Sequence, residues 1–241
     1  MTESASTQKL GALRSEIAIT LHTQYATRLW QGSKEIRDHD GKVIKPRMLG
    51  VVGSLGAITR IQKDAANNCP FADYYLLRFE DKVVDSHQKM KQMTQRLMEV
   101  YLDYLPEGID VQRCVNIAPV TYQLHVNSPL GYKFAYLLSE YDNLAKLAMT
   151  AAYVALMTRK ESREWLENGA KLIRQCFGIL DTYRPSGVTR TDDLDKIQET
   201  EKRLRVTLPA DVLSGERRAI FAPEIRKTSV TTPSNAQAVQ A

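Results

Sequence analysis

Two short segments far apart in this chain share one alternation of apolar and polar residues, and this pattern constrains the fold most. Residues 17–23 read IAITLHT, and residues 120–126 read VTYQLHV. Because successive side chains of a strand point to opposite faces, each segment predicts a β-strand with one apolar face and one hydrogen-bonding face. A helical pattern follows each segment, and a lone strand in a helical chain needs a partner. We therefore expect the two strands to pair as an antiparallel ribbon.

The polar face of such a ribbon is the first candidate for a functional surface. A two-stranded ribbon can enter the major groove of DNA, where glutamine suits a bidentate contact with adenine. Threonine and histidine can donate or accept hydrogen bonds there. The candidates for base contacts are Thr121, Gln123 and His125 from the second segment and Thr20 and His22 from the first. The alternative is that these residues face solvent on a small edge hairpin, and the spacing alone favours neither interpretation.

Apolar residues at helical spacing predict a mainly α fold around this ribbon. The two strands are predicted over residues 16–23 and 119–126. The predicted helices cover residues 24–34, 47–66, 73–104, 129–157, 161–180 and 194–204. The fold class is therefore mainly α, a helical domain with a small two-stranded antiparallel ribbon, and residues 119–180 form a ribbon-helix-helix-like element.

Composition along the chain predicts four parts. Residues 1–15 form a flexible arm, and residues 16–182 form the helical domain, which is the DNA-binding domain if the ribbon contacts bases. Residues 183–227 are a linker and C-terminal extension, and the polar tail 228–241 is disordered. The sequence alone does not decide whether the basic part of the extension, residues 202–227, is folded.

Helix starts supply the candidates for phosphate contacts. Asn127-Ser128-Pro129 is typical of a helix start, Thr158 with Glu161 predicts a capping box, and Asp73 predicts an N-cap. A helix N-terminus favours an anion, and the basic residues at the second start are Arg159, Lys160 and Arg163. Weaker candidates are Arg28, Lys42, Lys45 and Arg47. Taken alone, the pattern at 158–163 is more typical of an ordinary capped turn with basic residues in water.

The distribution of charge is compatible with a nucleic-acid partner without requiring one. The net charge is +5 and the sequence pI is about 9.0. Residues 28–63 carry eight lysines and arginines against three acids, and residues 202–227 carry seven against three. Exposed charge often does no more than solvate a surface, so each basic block is equally compatible with an anionic partner or with water.

Several classes of protein find no support in the sequence. The cysteines Cys69, Cys114 and Cys176 are odd in number and widely spaced, which predicts neither a disulfide framework nor a metal site. We find no nucleophile–base pair and no paired carboxylates, so we expect no enzyme and no cofactor. The first residues have no apolar core typical of a secretion signal, and we expect a cytoplasmic protein with no membrane contact.

Four stretches of the sequence carry a resemblance to a known family. Residues 23–32 read TQYATRLWQG, and residues 69–78 read CPFADYYLLR, with Cys69 where the family has aspartate. Residues 137–142 read LLSEYD, and Asn168-Gly169 matches a turn-like position in the helix that follows. Together they resemble the AcaB-like regulators, a family of proteins of integrating conjugative elements and conjugative plasmids. The resemblance extends over roughly residues 15–180.

This resemblance implies a transcriptional regulator, an activator of conjugative-transfer genes, with a ribbon-helix-helix reading head. Its partner would be double-stranded DNA, bound by a twofold assembly that we expect to be a homodimer. The role of base contact goes first to Thr121, Gln123 and His125. Whether the strands pair within one chain or between two chains is left open by the resemblance. The rival interpretation is a protein–protein interaction component of the conjugative transfer apparatus that does not bind DNA.

Overall fold

The structure, a computed structural model, describes residues 17–102, 105, 107–109, 111–126 and 128–226. The predicted arm 1–15 and tail 228–241 lie outside the described residues. The elements in chain order are β1 (Ile17–Leu21), α1 (Gln24–Gln31), β2 (Ile36–Arg37), β3 (Val43–Lys45), α2 (Gly50–Ala66), α3 (Pro70–Leu97), β4 (Val120–Leu124), α4 (Pro129–Tyr153), α5 (Arg159–Thr182), α6 (Leu194–Leu204) and α7 (Ala210–Ser214). This confirms the prediction of a mainly helical fold with a small antiparallel sheet.

Helix ends follow the local chemistry that the sequence carries. Ser128 caps α4, since its hydroxyl accepts a hydrogen bond from Gly131 N, and Pro129 occupies the first turn. The predicted capping box is also present at α5: Thr158 N donates to Glu161 Oε2 at 2.7 Å, and Glu161 N donates to Thr158 Oγ1 at 3.2 Å. The long helix differs from its prediction, because α3 ends at Leu97 and a π-helical turn, Met98–Leu102, follows.

The chain forms two compact units, and each is described by itself. The first, which we call the ribbon unit, contains residues 17–31 and 87–173 of the described chain. The second, which we call the hairpin unit, contains residues 32–86 and 174–226. The division predicted above, with a DNA-binding domain ending at residue 182, remains a prediction.

Helix α4 forms the centre of the ribbon unit. Its second half contributes Leu147, Ala148 and Ala151 to a buried apolar cluster with Leu97 and Met157. Along its first half, Tyr141 donates a hydrogen bond from its hydroxyl to Leu166 O at 3.1 Å. Gly169 packs below this ring, where an added Cβ would lie 2.8 Å from Tyr141 Cδ2. Gly169 therefore lies inside α5, at a position where α5 and α4 pack closely against each other, and it is not a turn.

A buried cluster of charges organises the hairpin unit. The Asp73 carboxylate is fully buried and accepts hydrogen bonds from Arg218 Nε at 2.9 Å and Nη2 at 3.0 Å. Arg190 Nη2 lies 2.8 Å from the same carboxylate. The prediction of Asp73 as an N-cap is therefore wrong: α3 begins at Pro70, and the Asp73 side chain has long-range partners instead. Because Arg218 belongs to the basic stretch after residue 202, this stretch is folded as far as residue 226.

The hairpin unit also contains a small sheet that the sequence did not predict. Strands β2 and β3 pair antiparallel, with a register shift between Ile36 and Arg37. A turn at residues 38–41 connects them. Asp38 Oδ1 accepts hydrogen bonds from Asp40 N and Lys42 N, and Gly41 has φ +77°. Among the helices of the described residues, none is both long and apolar enough to cross a membrane.

Candidate nucleic-acid interface

The two predicted strands pair with each other inside one chain. Strands β1 and β4 are antiparallel, and the register joins Ile17 to Leu124, Ile19 to Tyr122 and Leu21 to Val120. The pairing that the sequence left open is therefore intrachain, and a second copy of the chain is not needed to complete the ribbon. We use the name ribbon for β1 and β4 together.

The two faces of the ribbon differ as the alternation predicts. On one face Ile19, Leu21 and Leu124 are buried, while Val120 at the end of this face is 44% exposed. On the other face every paired residue is exposed: Ala18 opposite Gln123, and Thr20 opposite Thr121. The hydroxyls of Thr20 and Thr121 lie 3.0 Å apart and share a hydrogen bond. We call these four residues the exposed row. They present hydroxyl and amide groups on a ribbon whose other face packs against the core.

The two histidines lie just beyond the strands, and their surroundings differ. His125 directly follows β4 and is exposed. His22 directly follows β1, and its Nδ1 accepts a hydrogen bond from Asn116 N at 3.3 Å. The His22 carbonyl also accepts one from Asn116 Nδ2 at 3.1 Å. His22 is thus engaged with the segment that leads into β4, which makes it the weaker of the two candidates for an external contact.

A buried carboxylate fixes the point where β1 passes into α1. Asp142 on α4 accepts hydrogen bonds from His22 N at 2.9 Å, Thr23 N at 2.9 Å and the Thr23 hydroxyl at 2.6 Å. The Thr23 hydroxyl in turn caps α1 by accepting from Ala26 N at 3.2 Å. Asp142 is 2% exposed, and both of its hydrogen bonds with Thr23 are buried. Sequence reasoning reached Asp142 only as part of the LLSEYD resemblance, which gives no role for it.

An aromatic pair supports the middle of the ribbon. Tyr122 of β4 stacks on Trp30 of α1, with ring centroids 4.8 Å apart and 25° between the planes. Gln31 Nε2 donates to the Tyr122 hydroxyl at 3.4 Å. Stacked aromatic pairs contribute beyond the area they bury. These contacts fix the centre of β4 through its apolar face. The exposed row lies on the opposite face and takes no part in them.

The strongest phosphate candidates share the ribbon unit. Arg159, Lys160 and Arg163 are exposed in the first turns of α5. The hydrogen bonds that Glu161 accepts from Thr158 hold the pKa of its carboxyl below the ordinary value. Because this carboxylate already occupies the helix N-terminus, an anion here would depend mainly on the three basic side chains.

The weaker candidates are divided between the units. Arg28 is exposed on α1, in the ribbon unit. Lys42, Lys45 and Arg47 are exposed in the hairpin unit, on and around β3, and Arg47 forms an ion pair with Asp181. Within the described residues, no group of three or more His, Cys, Asp or Glu side chains could hold a metal ion.

Comparisons with known proteins agree on one family. Residues 9–226 match the family described as "Transcriptional regulator AcaB". The fold is similar to the crystal structure of selenomethionine-containing AcaB from uropathogenic E. coli, with a TM-score of 0.52 and 19% sequence identity. The similarity covers 84% of this chain and 95% of that chain, and at this identity it concerns the fold. No curated protein matches the chain.

Proposed function

The chain belongs to the AcaB family of transcriptional regulators, and we propose that it acts by binding double-stranded DNA with the ribbon. In this proposal β4, α4 and α5 form the ribbon-helix-helix element, with β1 as the second strand. The regulated genes are those of conjugative transfer, and the regulator activates them. The protein uses no cofactor and catalyses no reaction.

One observation carries this proposal: the exposed row lies on a two-stranded ribbon whose opposite face places Ile19, Leu21 and Leu124 in the core. The DNA major groove admits a two-stranded ribbon, and base edges there offer donors and acceptors to side chains. In the exposed row, Gln123 supplies an amide, and Thr20 and Thr121 supply hydroxyls. Because the core holds the other face, these groups are positioned before DNA arrives, which lowers the entropy lost on binding.

The roles within the interface follow from residue chemistry. Gln123 contacts adenine through N6 and N7, while Thr121, Thr20 and His125 read neighbouring bases. His22 completes the set only if DNA displaces its contact with Asn116. Phosphate contacts fix the register of the protein on DNA and carry little sequence information. We assign them first to Arg159, Lys160 and Arg163, and then to Arg28, Lys42, Lys45 and Arg47.

The predicted homodimer takes a different form in this proposal. Since one chain completes the ribbon, two chains would present two ribbons to DNA rather than share one. A homodimer would then contact two copies of the DNA element that one ribbon reads.

Fluorescence anisotropy with two duplexes tests the proposed function. One duplex carries DNA from upstream of the protein's own gene, the other a random sequence, and each is titrated at two salt concentrations. We expect preference for the first duplex and weaker binding to both at higher salt, because phosphate contacts release counterions. Equal binding to both duplexes, or binding to neither, would contradict the proposal.

The variant Gln123→Ala sharpens this test. It should lose about 1–3 kcal/mol of binding free energy on the preferred duplex and little on the random one, because only base contacts distinguish the two. Gln92→Ala is the matched control, since Gln92 is also exposed and lies on α3 in the ribbon unit. If both duplexes lose affinity equally in Gln123→Ala, Gln123 does not read bases.

The second candidate function is a protein–protein interaction component without DNA binding. The segment that leads into β4 favours it, because Val115 is 67% exposed and Ile117 is fully exposed. Large exposed apolar side chains are typical of docking surfaces when they cluster. The anisotropy experiment separates the two functions, since this candidate predicts no salt-sensitive, sequence-selective DNA binding.

A further inference from the structure

We infer that the ribbon reads a DNA element with two unlike halves, so that one chain binds it in a single orientation. The inference rests on the proposed function, in which the ribbon binds DNA. It goes further by specifying the symmetry of the DNA site and the residues that set it.

The first step is that the two strands are related by a local twofold axis. When the two sequence segments are aligned, Ile17 corresponds to Val120 and Leu21 to Leu124, so Ile19 corresponds to Tyr122. The pairing register also places Ile19 opposite Tyr122. A twofold rotation about an axis through the Ile19–Tyr122 pair and perpendicular to the sheet therefore exchanges each residue of β1 with its aligned counterpart in β4.

The second step is that this axis relates unlike residues on the exposed face. Ala18 corresponds to Thr121, and Thr20 corresponds to Gln123. A ribbon built from two identical chains would carry the same residues in both halves, and its DNA site would mirror that symmetry. Because Ala18 pairs with Gln123 and Thr20 with Thr121, one end of the ribbon offers a methyl group and a long amide, and the other end offers two hydroxyls.

The third step concerns the surroundings of the most discriminating side chain. Gln123 is exposed and lies opposite Ala18, whose methyl group cannot hydrogen-bond to the Gln123 amide. Its counterpart Thr20 instead shares a hydrogen bond with Thr121 at 3.0 Å. The histidines after the strands differ as well, because His22 accepts a hydrogen bond from Asn116 while His125 is exposed. The end of the ribbon where Gln123 lies opposite Ala18 therefore has the greater capacity to specify a base.

These differences assign a direction to the DNA element. The half that meets Gln123 should contain an adenine that the protein strongly prefers. Because Ala18 lies opposite Gln123, the same half should favour a thymine methyl group near Ala18, and the half that meets Thr20 and Thr121 should be less restricted. A second copy of the chain on the same duplex would bind a second copy of this element. Each element would still consist of two different halves.

Selection from a random duplex library, followed by sequencing, tests this inference with three full-length proteins. The first is the wild type. The second, Ala18→Thr with Thr20→Gln, gives β1 the exposed residues of β4. The third, Thr121→Ala with Gln123→Thr, gives β4 those of β1. All four positions are exposed, so the variants should fold, and urea denaturation of each checks this.

We expect the DNA element that one wild-type ribbon selects to differ from its own reverse complement, even where a homodimer selects two copies of that element as an inverted repeat. The second protein should select an inverted repeat that contains the adenine half twice, and the third a motif without the preferred adenine. For the wild type, replacing the adenine half should weaken binding about tenfold, and replacing the other half should weaken it less.

The outcomes separate this inference from the proposed function. A wild-type element that is itself symmetric, or an unchanged element in the second protein, overturns the inference and leaves DNA binding intact. If the wild type enriches no motif, the proposed function itself fails, and the inference fails with it.

Discussion

The ribbon and the β2–β3 hairpin are both small antiparallel sheets, but only the ribbon has a buried face. In the ribbon, Ile19 is 6% exposed and Leu21 is 1% exposed, and the register is regular. In the hairpin, Ile36 is 52% exposed and Ile44 is 66% exposed, and the register shifts at Ile36. A row of side chains is fixed in space when the opposite face of its sheet belongs to the core, and the hairpin lacks this support.

This difference bears on which sheet can read a sequence. Discrimination between bases requires donors and acceptors held close to their productive geometry. The exposed row meets this requirement through Asp142 and the Tyr122–Trp30 stack. The hairpin offers basic side chains instead, such as Lys42 and Lys45, which suit contacts with phosphate that depend little on geometry.

The largest expected effect is on stability, in the variant Asp142→Ala. It leaves the part-buried N–H of His22 and the buried N–H of Thr23 without their acceptor, and we expect it to lower the free energy of unfolding by about 3 kcal/mol. Urea denaturation measures this effect. The matched change in the hairpin turn, Asp38→Ala, removes a half-buried carboxylate that also accepts two backbone hydrogen bonds, and should cost about 0.5 kcal/mol or less. Equal losses in the two variants would show that the ribbon is no more firmly supported than the hairpin.

Hydrogen exchange should show a smaller contrast between the same two sheets. Backbone amides of β1 and β4 should exchange at least about tenfold more slowly than those of β2 and β3, because exposed hydrogen bonds open locally. Mass spectrometry of deuterated peptides resolves the two regions. Comparable protection in both sheets would remove the physical basis for assigning them different roles.

The smallest expected effect concerns the start of α5 in the ribbon unit. Hydrogen bonds from Thr158 lower the pKa of Glu161 below its ordinary 4.5 in the folded protein. The stabilisation is therefore present above pH 4.5 and is lost as the pH falls through the lower, folded-state pKa. Glu161→Ala should be less stable than the wild type at neutral pH, and the difference should shrink in acid. A difference that stays constant down to about pH 3 would contradict this account.

Local patterns in the sequence were sufficient to predict the ribbon and most helices. Residues at period two predicted β1 and β4 to within two residues of their ends, because one face of each strand faces the core. The β2–β3 hairpin escaped prediction, since strands of two and three residues with no buried face leave no alternation to detect. The π-helical turn after α3 likewise has no distinct signature, and the apolar spacing simply continues through it.

Long-range partners are the part that the sequence could not supply. Asp73 has the residue type and the position of a cap, and nothing near it in sequence indicates that Arg190 and Arg218 bind its carboxylate. The same holds for Asp142 and the start of α1. In the candidate interface, the polar alternation identified Thr20, Thr121 and Gln123, but it could not show that Asn116 engages His22.

The most direct test compares ribbon and hairpin variants on the preferred and random duplexes by fluorescence anisotropy. The ribbon variant carries Thr121→Ala, Gln123→Ala and His125→Ala, and the hairpin variant carries Lys42→Ala and Lys45→Ala. We predict that the ribbon variant loses the preference for the first duplex while it still folds and binds both weakly. The hairpin variant should lose affinity for both duplexes alike and keep the preference, with a smaller dependence on salt. A ribbon variant that keeps the wild-type preference would contradict the assignment of the ribbon as the reading head.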